Sequence, residues 1–147
     1  MTARKQQKGF TIIEVVLVLA IAALIFLMVF IALPALQRTQ HDTARTQDIN
    51  LVATAASNYG TNHNGLPPTA SNALDKYVTK LSEFESIAVK GTLTSTVSTI
   101  SDSNKDIIQV WAKATCSDDG AQVIRGSSRQ TAAIGLLESG DVYCRSV

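Results

Sequence analysis

The chain has 147 residues, one domain's worth, with 46% hydrophobic and 17% charged residues and a formal net charge of +1. Arg4, Lys5 and Lys8 supply all the charge of the first nine residues, and without them ten basic residues face twelve acidic ones, so the chain from Phe10 onward is formally −2. That balance, with no Lys/Arg cluster, excludes the electrostatic footprint of a nucleic-acid-binding domain.

Residues 1–9 are too short and polar to fold and read as a cationic leader or cytoplasmic tail. No polar side chain occurs from Val15 to Leu33. As a helix, the apolar residues from Val15 to Leu36 span roughly 33 Å, enough to cross a bilayer core of about 30 Å once. The cationic flank places the N-terminus in the cytoplasm and the rest of the chain outside. Pro34, which lacks an N–H and carries a bulky ring, predicts a kink or a loosened turn.

Residues 37–59 continue as the amphipathic half of the same helix. Ile49, Val52, Ala53 and Ala56 form a narrow apolar stripe, and Asn58-Tyr59-Gly60 marks a plausible end. NHNGLPP, residues 62–68, is a loop. A short helix is predicted over Asn72–Phe84, capped by Ser71, with Leu74, Tyr77, Val78 and Leu81 as its packing face. The β-branched stretch Lys90–Ser103 predicts a strand over part of its length. Four further runs, at 106–116, 121–126, 129–139 and 140–146, read as strands of an antiparallel sheet covered by the amphipathic half-helix.

The two cysteines, Cys116 and Cys144, lack a CxxC spacing or a nearby His that would suggest zinc. In an oxidising compartment they predict one disulfide, the alternative being two buried thiols. His41 and His63 read as isolated solvent-facing residues, and Trp111 and Tyr143 as sheet core. Asp118 and Asp119 before Gly120 suit a turn without invoking calcium, which needs six or more oxygens. No catalytic motif stands out, so no enzyme activity, cofactor or metal is expected.

Glu14, near the start of the apolar run, requires a partner, because a carboxylate in hydrocarbon costs roughly 2.5 to 3.5 kcal/mol. The run is too long for an ordinary secretory signal, and its A-x-A, Ala20 to Ala22, lies in its middle. A cut between Gly9 and Phe10 would instead create an ammonium at a helix N-terminus, where the macrodipole disfavours a cation. Glu14 would offset that charge in its own chain or in a neighbouring copy.

KGFTIIEVV, residues 8–16, resembles the class III signal of type IV prepilins. The resemblance implies cleavage after Gly9 by a membrane-embedded prepilin peptidase, N-methylation of Phe10, and a role for Glu14 in aligning subunits during assembly. It also implies an α+β pilin fold, with a long N-terminal helix packed on a C-terminal antiparallel sheet. The segments are a removed leader (1–9), a filament-core helix (10–36), its amphipathic continuation (37–59) and a globular domain (60–147). Arg45, Asp48, Tyr59, Asn64, Gly65 and Pro67 are similar to the family's Arg-x-x-Asp segment, terminal Tyr and Asn-Gly-x-Pro loop. Cys116 and Cys144 fit the disulfide that closes a C-terminal loop in many pilins, and Pro34 fits a site of local helix melting.

The implied function is that of a structural subunit in a helical homo-oligomeric filament, supporting motility, adhesion or DNA uptake. Its partners would be the membrane, the prepilin peptidase and the pilus assembly machinery. It would pass from the cytoplasmic membrane to an extracellular pilus. The nearest alternative is a pseudopilin of a type II secretion system, which resembles a pilin in leader and helix; a single-pass anchored ectodomain is more distant.

Overall fold

The computed structural model describes residues 9–93, 97–98, 100 and 102–147. Helix α1 (Ile12–Asn62) is followed by strands β1 (Ser86–Thr92), β2 (Val97–Ser98), β3 (Ile107–Ala112), β4 (Ala114–Cys116), β5 (Val123–Arg125), β6 (Thr131–Leu136) and β7 (Val142–Ser146). The chain divides into two units, Met1–Gln37 and Arg38–Val147. The first unit's described residues hold the apolar part of α1. The second holds the remainder of α1 and the strands.

In the second unit α1 lies against a four-stranded sheet of order β1-β3-β6-β7, an α+β arrangement. Ile49, Val52, Ala53 and Ala56, the stripe visible in the sequence, join Phe84, Ile108, Val110 and Ala133 in one apolar cluster. Alternation along the strands sends Ala132, Ile134 and Cys144 to the other face, where they meet Leu93, Ala114 and Val123. All of β6 is buried because both its faces are covered. At Gly135 the helix side packs so closely that a Cβ would stand 2.7 Å from Ile49 Cδ1 and 2.8 Å from Phe84 Cζ.

The sheet is mixed where an antiparallel one was expected: β1 and β3 run parallel, whereas β3–β6 and β6–β7 are antiparallel. Parallel neighbours need a crossover of a dozen or more residues. Here the connection over 93–106 makes it, giving up β2 to a second sheet of order β2-β5-β4 on the way. The expected single strand over 106–116 is also two. Lys113 takes a left-handed φ of 56°, and the chain leaves the first sheet there and enters the second as β4. Gly126 allows the close approach, since its N–H donates to the Lys113 carbonyl at 2.9 Å and a Cβ would meet the Ala114 carbonyl carbon at 2.8 Å. The strand expected in part of Lys90–Ser103 is met by the end of β1, which starts earlier at Ser86, and by the short β2; residues 94–96, 99 and 101 lie outside the described residues.

Two helical segments also differ from what the sequence predicts. α1 runs past Gly60 to Asn62, and the stop is made by Asn64 and Gly65 at φ 57° and 78°, with the Gly65 N–H bonded back to the Gly60 carbonyl at 2.7 Å. The helix expected over Asn72–Phe84 is a series of turns over 71–77 followed by an irregular stretch with bends at 82, 83 and 85. Leu74 is buried and Tyr77, Val78 and Leu81 pack against the core as their spacing suggested. Past Val78 the chain instead presents consecutive backbone N–H groups to Asp48, which a helix would have turned inward. Asp48, 3% exposed, accepts from Ser82 N at 2.8 Å, Glu83 N at 2.8 Å and Phe84 N at 3.4 Å.

One turn earlier on α1, Arg45 donates to the Lys105 carbonyl at 2.8 Å and the Leu136 carbonyl at 2.9 Å, pairs with Asp106 at 3.2 Å, and lies 4.9 Å over the Phe84 ring. A further turn back, Asp42 accepts from Glu138 N at 2.7 Å and Ser139 N at 3.2 Å. Asp42, Arg45 and Asp48 thus satisfy the backbone of three separate segments from one helix face. A disulfide joins Cys116 in β4 to Cys144 in β7 and so ties the second sheet to the edge of the first.

Replacing Asp48 by Ala strands those N–H groups, and we expect a loss of about 2–3 kcal/mol, read from denaturant unfolding of the full chain in detergent. Asp48→Asn, which keeps one acceptor, should lose less. Cys116→Ser releases a loop spanning a sequence separation of 28, worth about 3–4 kcal/mol by loop entropy. An unchanged melting temperature under oxidising conditions would contradict that role.

Candidate functional site

Thr11 stands immediately before the first helical residue, and its hydroxyl accepts from Glu14 N at 3.4 Å. Glu14 reaches back, accepting from Thr11 N at 2.9 Å and from the Thr11 hydroxyl at 2.7 Å on the same Oε2. This reciprocal pair is a capping box, satisfying N–H groups at the helix start that have no intrahelical acceptor. The sequence carries its signature, Thr-x-x-Glu over residues 11–14, but reasoning about membrane charge assigned Glu14 only to an ammonium on Phe10. Thr11 is thus the partner that Glu14 has within its own chain. In the described chain Gly9 and Phe10 lie just outside the helix, and the Phe10 side chain is 91% exposed.

Beyond this cap, every Val, Leu, Ile, Met and Phe from Phe10 to Leu36 is exposed. The helix is long and apolar enough to cross a membrane. Each such side chain gains about 1.5–3 kcal/mol on leaving water, so this face has to be covered by hydrocarbon or by other apolar helices. Phe10, Glu14, Val15, Val18 and Leu19 line a shallow depression, placing the one carboxylate of the run on an apolar floor. Pro34 lies inside α1.

The residues of the second motif hold the second unit together. Arg45 and Asp48 anchor the sheet and the 82–84 segment to α1 as described. Tyr59 stacks on His63 at 3.9 Å between ring centroids and meets Tyr77 edge-on at 6.0 Å. Asn64 and Gly65 make the left-handed exit from the helix, and Pro67 lines a groove with Ala56, Gly60 and Arg129. Trp111 and Tyr143 pack in the two apolar clusters.

Both histidines are exposed, as read from the sequence, but both have partners. His63 Nδ1 lies 2.8 Å from the Tyr59 carbonyl, which requires the tautomer with a proton on that nitrogen. His41 Nδ1 is 3.0 Å from Glu83 Oε2 and 4.0 Å from Glu138 Oε2. Asp119 is engaged within its own turn by the Ser117 hydroxyl and the Ala121 N–H, which hold its carboxyl below the ordinary value.

The hydrogen bond that His41 donates to Glu83, with the charges of Glu83 and Glu138, raises the His41 pKa above 6.5. A folded-state pKa above the unfolded one stabilises the fold fully below 6.5, and the contribution is lost as pH rises through the folded value. The melting-temperature gap between the wild type and His41→Ala should therefore be larger at acid than at alkaline pH. A gap independent of pH would contradict the pairing.

No curated protein and no solved structure gives a significant match to the chain. Residues 4–30 match the family model described as the prokaryotic N-terminal methylation motif. The matched residues contain Gly9, Phe10, the Thr11–Glu14 cap and most of the exposed apolar run. That motif, on an apolar helix followed by an α+β domain, supports a type IV pilin-like prepilin.

Proposed function

We propose that the protein is the structural subunit of a type IV pilus. The observation that carries the reading is the exposed apolar face from Phe10 to Leu36, headed by a single hydrogen-bonded carboxylate, on a chain that also holds a well-packed polar domain. Cleavage after Gly9 removes the leader and gives Phe10 a terminal amine, which is then methylated. Glu14 meets that charge, in its own chain or a neighbouring one, so that both groups leave lipid together. Assembly machinery extracts the subunit from the cytoplasmic membrane, and the apolar face passes from hydrocarbon to contact with copies of itself. Residues 10–36 then form the filament core, with loosening of the helix near Pro34, and the domain from residue 37 onward faces outward. Motility, adhesion and DNA uptake are the uses such a filament serves.

Glu14→Val removes the carboxylate without removing the cleavage junction. It should leave leader removal intact, judged by the mass of the membrane-held chain, while filaments seen by electron microscopy fall by roughly tenfold or more. Abundant filaments of normal appearance from this variant would refute the charge-matching role. Deleting the gene separates the pilus from the secretion reading: loss of filaments supports a pilin, whereas intact filaments with failed release of exported proteins assign a pseudopilin.

A further inference from the structure

The second unit carries opposite charge at its two ends. At the level of His41–Arg45 on α1, the turns that begin β1 and β3 and that join β6 to β7 converge, since Glu85 N bonds the Asp106 carbonyl at 2.9 Å and Leu137 N the Asp141 carbonyl at 2.8 Å. Glu83, Glu85, Asp106, Glu138 and Asp141 outnumber the basic groups at this end, where Lys105 is exposed and Arg45 and His41 are engaged by acids. The other end is the level of Ala56–Thr61, about 20 Å along the helix. Lys113 and Arg125 project there from the point where Gly126 N bonds the Lys113 carbonyl and Ala114 pairs with Arg125. Arg129 lies over Gly65, whose Cβ would touch its Cδ at 3.3 Å, and Arg145 occupies the last strand opposite Ala133. All four basic side chains are exposed, and the ion pairs of the described residues lie at the opposite end.

We infer that these two ends dock on one another between successive copies of the chain, the Lys113/Arg125/Arg129 end of one against the Glu85/Asp141 end of the next. An open filament needs a heterologous interface, in which two different patches of one subunit are complementary. The ends are displaced along α1, so copies with parallel helices, offset along a common axis, bring unlike ends together. A polyanion is the less favoured occupant, because the chain from Phe10 onward is formally −2 and an array of copies repels it outside the patch. The inference rests on the filament reading and adds to it what the outward domains contribute: orientation and register, set by charge.

The test is a charge swap in cells that assemble the full chain. Arg125→Glu with Arg129→Glu reverses one end, Glu85→Lys with Asp141→Lys the other, and a fourth strain combines all four. None of these residues anchors α1 to the sheet, and protease resistance of the membrane-held chain checks folding. Each single-end reversal should cut sheared filament yield by roughly tenfold. The combined variant should restore it, and yield in the single-end strains should recover partly at high salt. Unchanged yields beside normal wild-type filaments overturn the docking and leave the pilus reading standing. Losses that the combined variant does not repair, or a basic-end reversal that alters only retention of DNA by intact filaments, overturn the second copy as partner. A wild-type chain that is processed but never enters filaments overturns the pilus reading itself.

Discussion

The structure depends on one unmet need: an α-helix whose large apolar side chains from Ile12 to Leu36 are all exposed. Lipid or another apolar surface can meet it, and water can do so only at a large cost. The carboxylate of Glu14 has to be accommodated in either setting, and the capping box with Thr11 gives it two donors at no cost to the helix. Since the same oxygen accepts both bonds, the second carboxylate oxygen can receive a terminal ammonium while the cap stays closed.

The second unit solves a different problem, namely how a half-helix with a narrow apolar stripe can hold a sheet. Burial of Ile49, Val52, Ala53 and Ala56 supplies the non-directional part. Direction comes from Asp42, Arg45 and Asp48, whose side chains terminate backbone hydrogen bonding in the 82–84 segment, the 105–106 turn and the β6–β7 turn. Hydrogen bonds to charged groups are the stronger kind, and removing one partner leaves the others buried and unsatisfied. The disulfide then fixes the second sheet, which shares little apolar surface with α1, to β7.

What the sequence made legible follows from how local each signal is. The apolar run, the stripe at Ile49–Ala56 and the turns around Asn64-Gly65 and Asp118–Gly120 depend on neighbours along the chain and were readable. Strand direction is not local: the period-two pattern of β1 and β3 is the same whether they run parallel or antiparallel. The break at Lys113 was hidden because lysine has no special tendency toward a left-handed φ, and the room for it is made by Gly126 in another strand. The apolar spacing of Leu74, Tyr77 and Val78 suggested a helix because turns on a core present the same periodicity, and the pull of Asp48, 34 residues away from Ser82, cannot be seen in that window. Thr11 was legible in principle. Its signature, Thr-x-x-Glu, is local and shares Glu14 with the charge problem of the apolar run.

The central claim is that the working form begins with an ammonium on Phe10 set beside Glu14, on a helix that has left the membrane. The most direct measurement is the intact mass and N-terminal peptide sequence of the chain recovered from filaments sheared off the cell surface. The account predicts a polypeptide starting at Phe10 with one methyl group on its amine. Recovery of a chain that still carries residues 1–9 would contradict it.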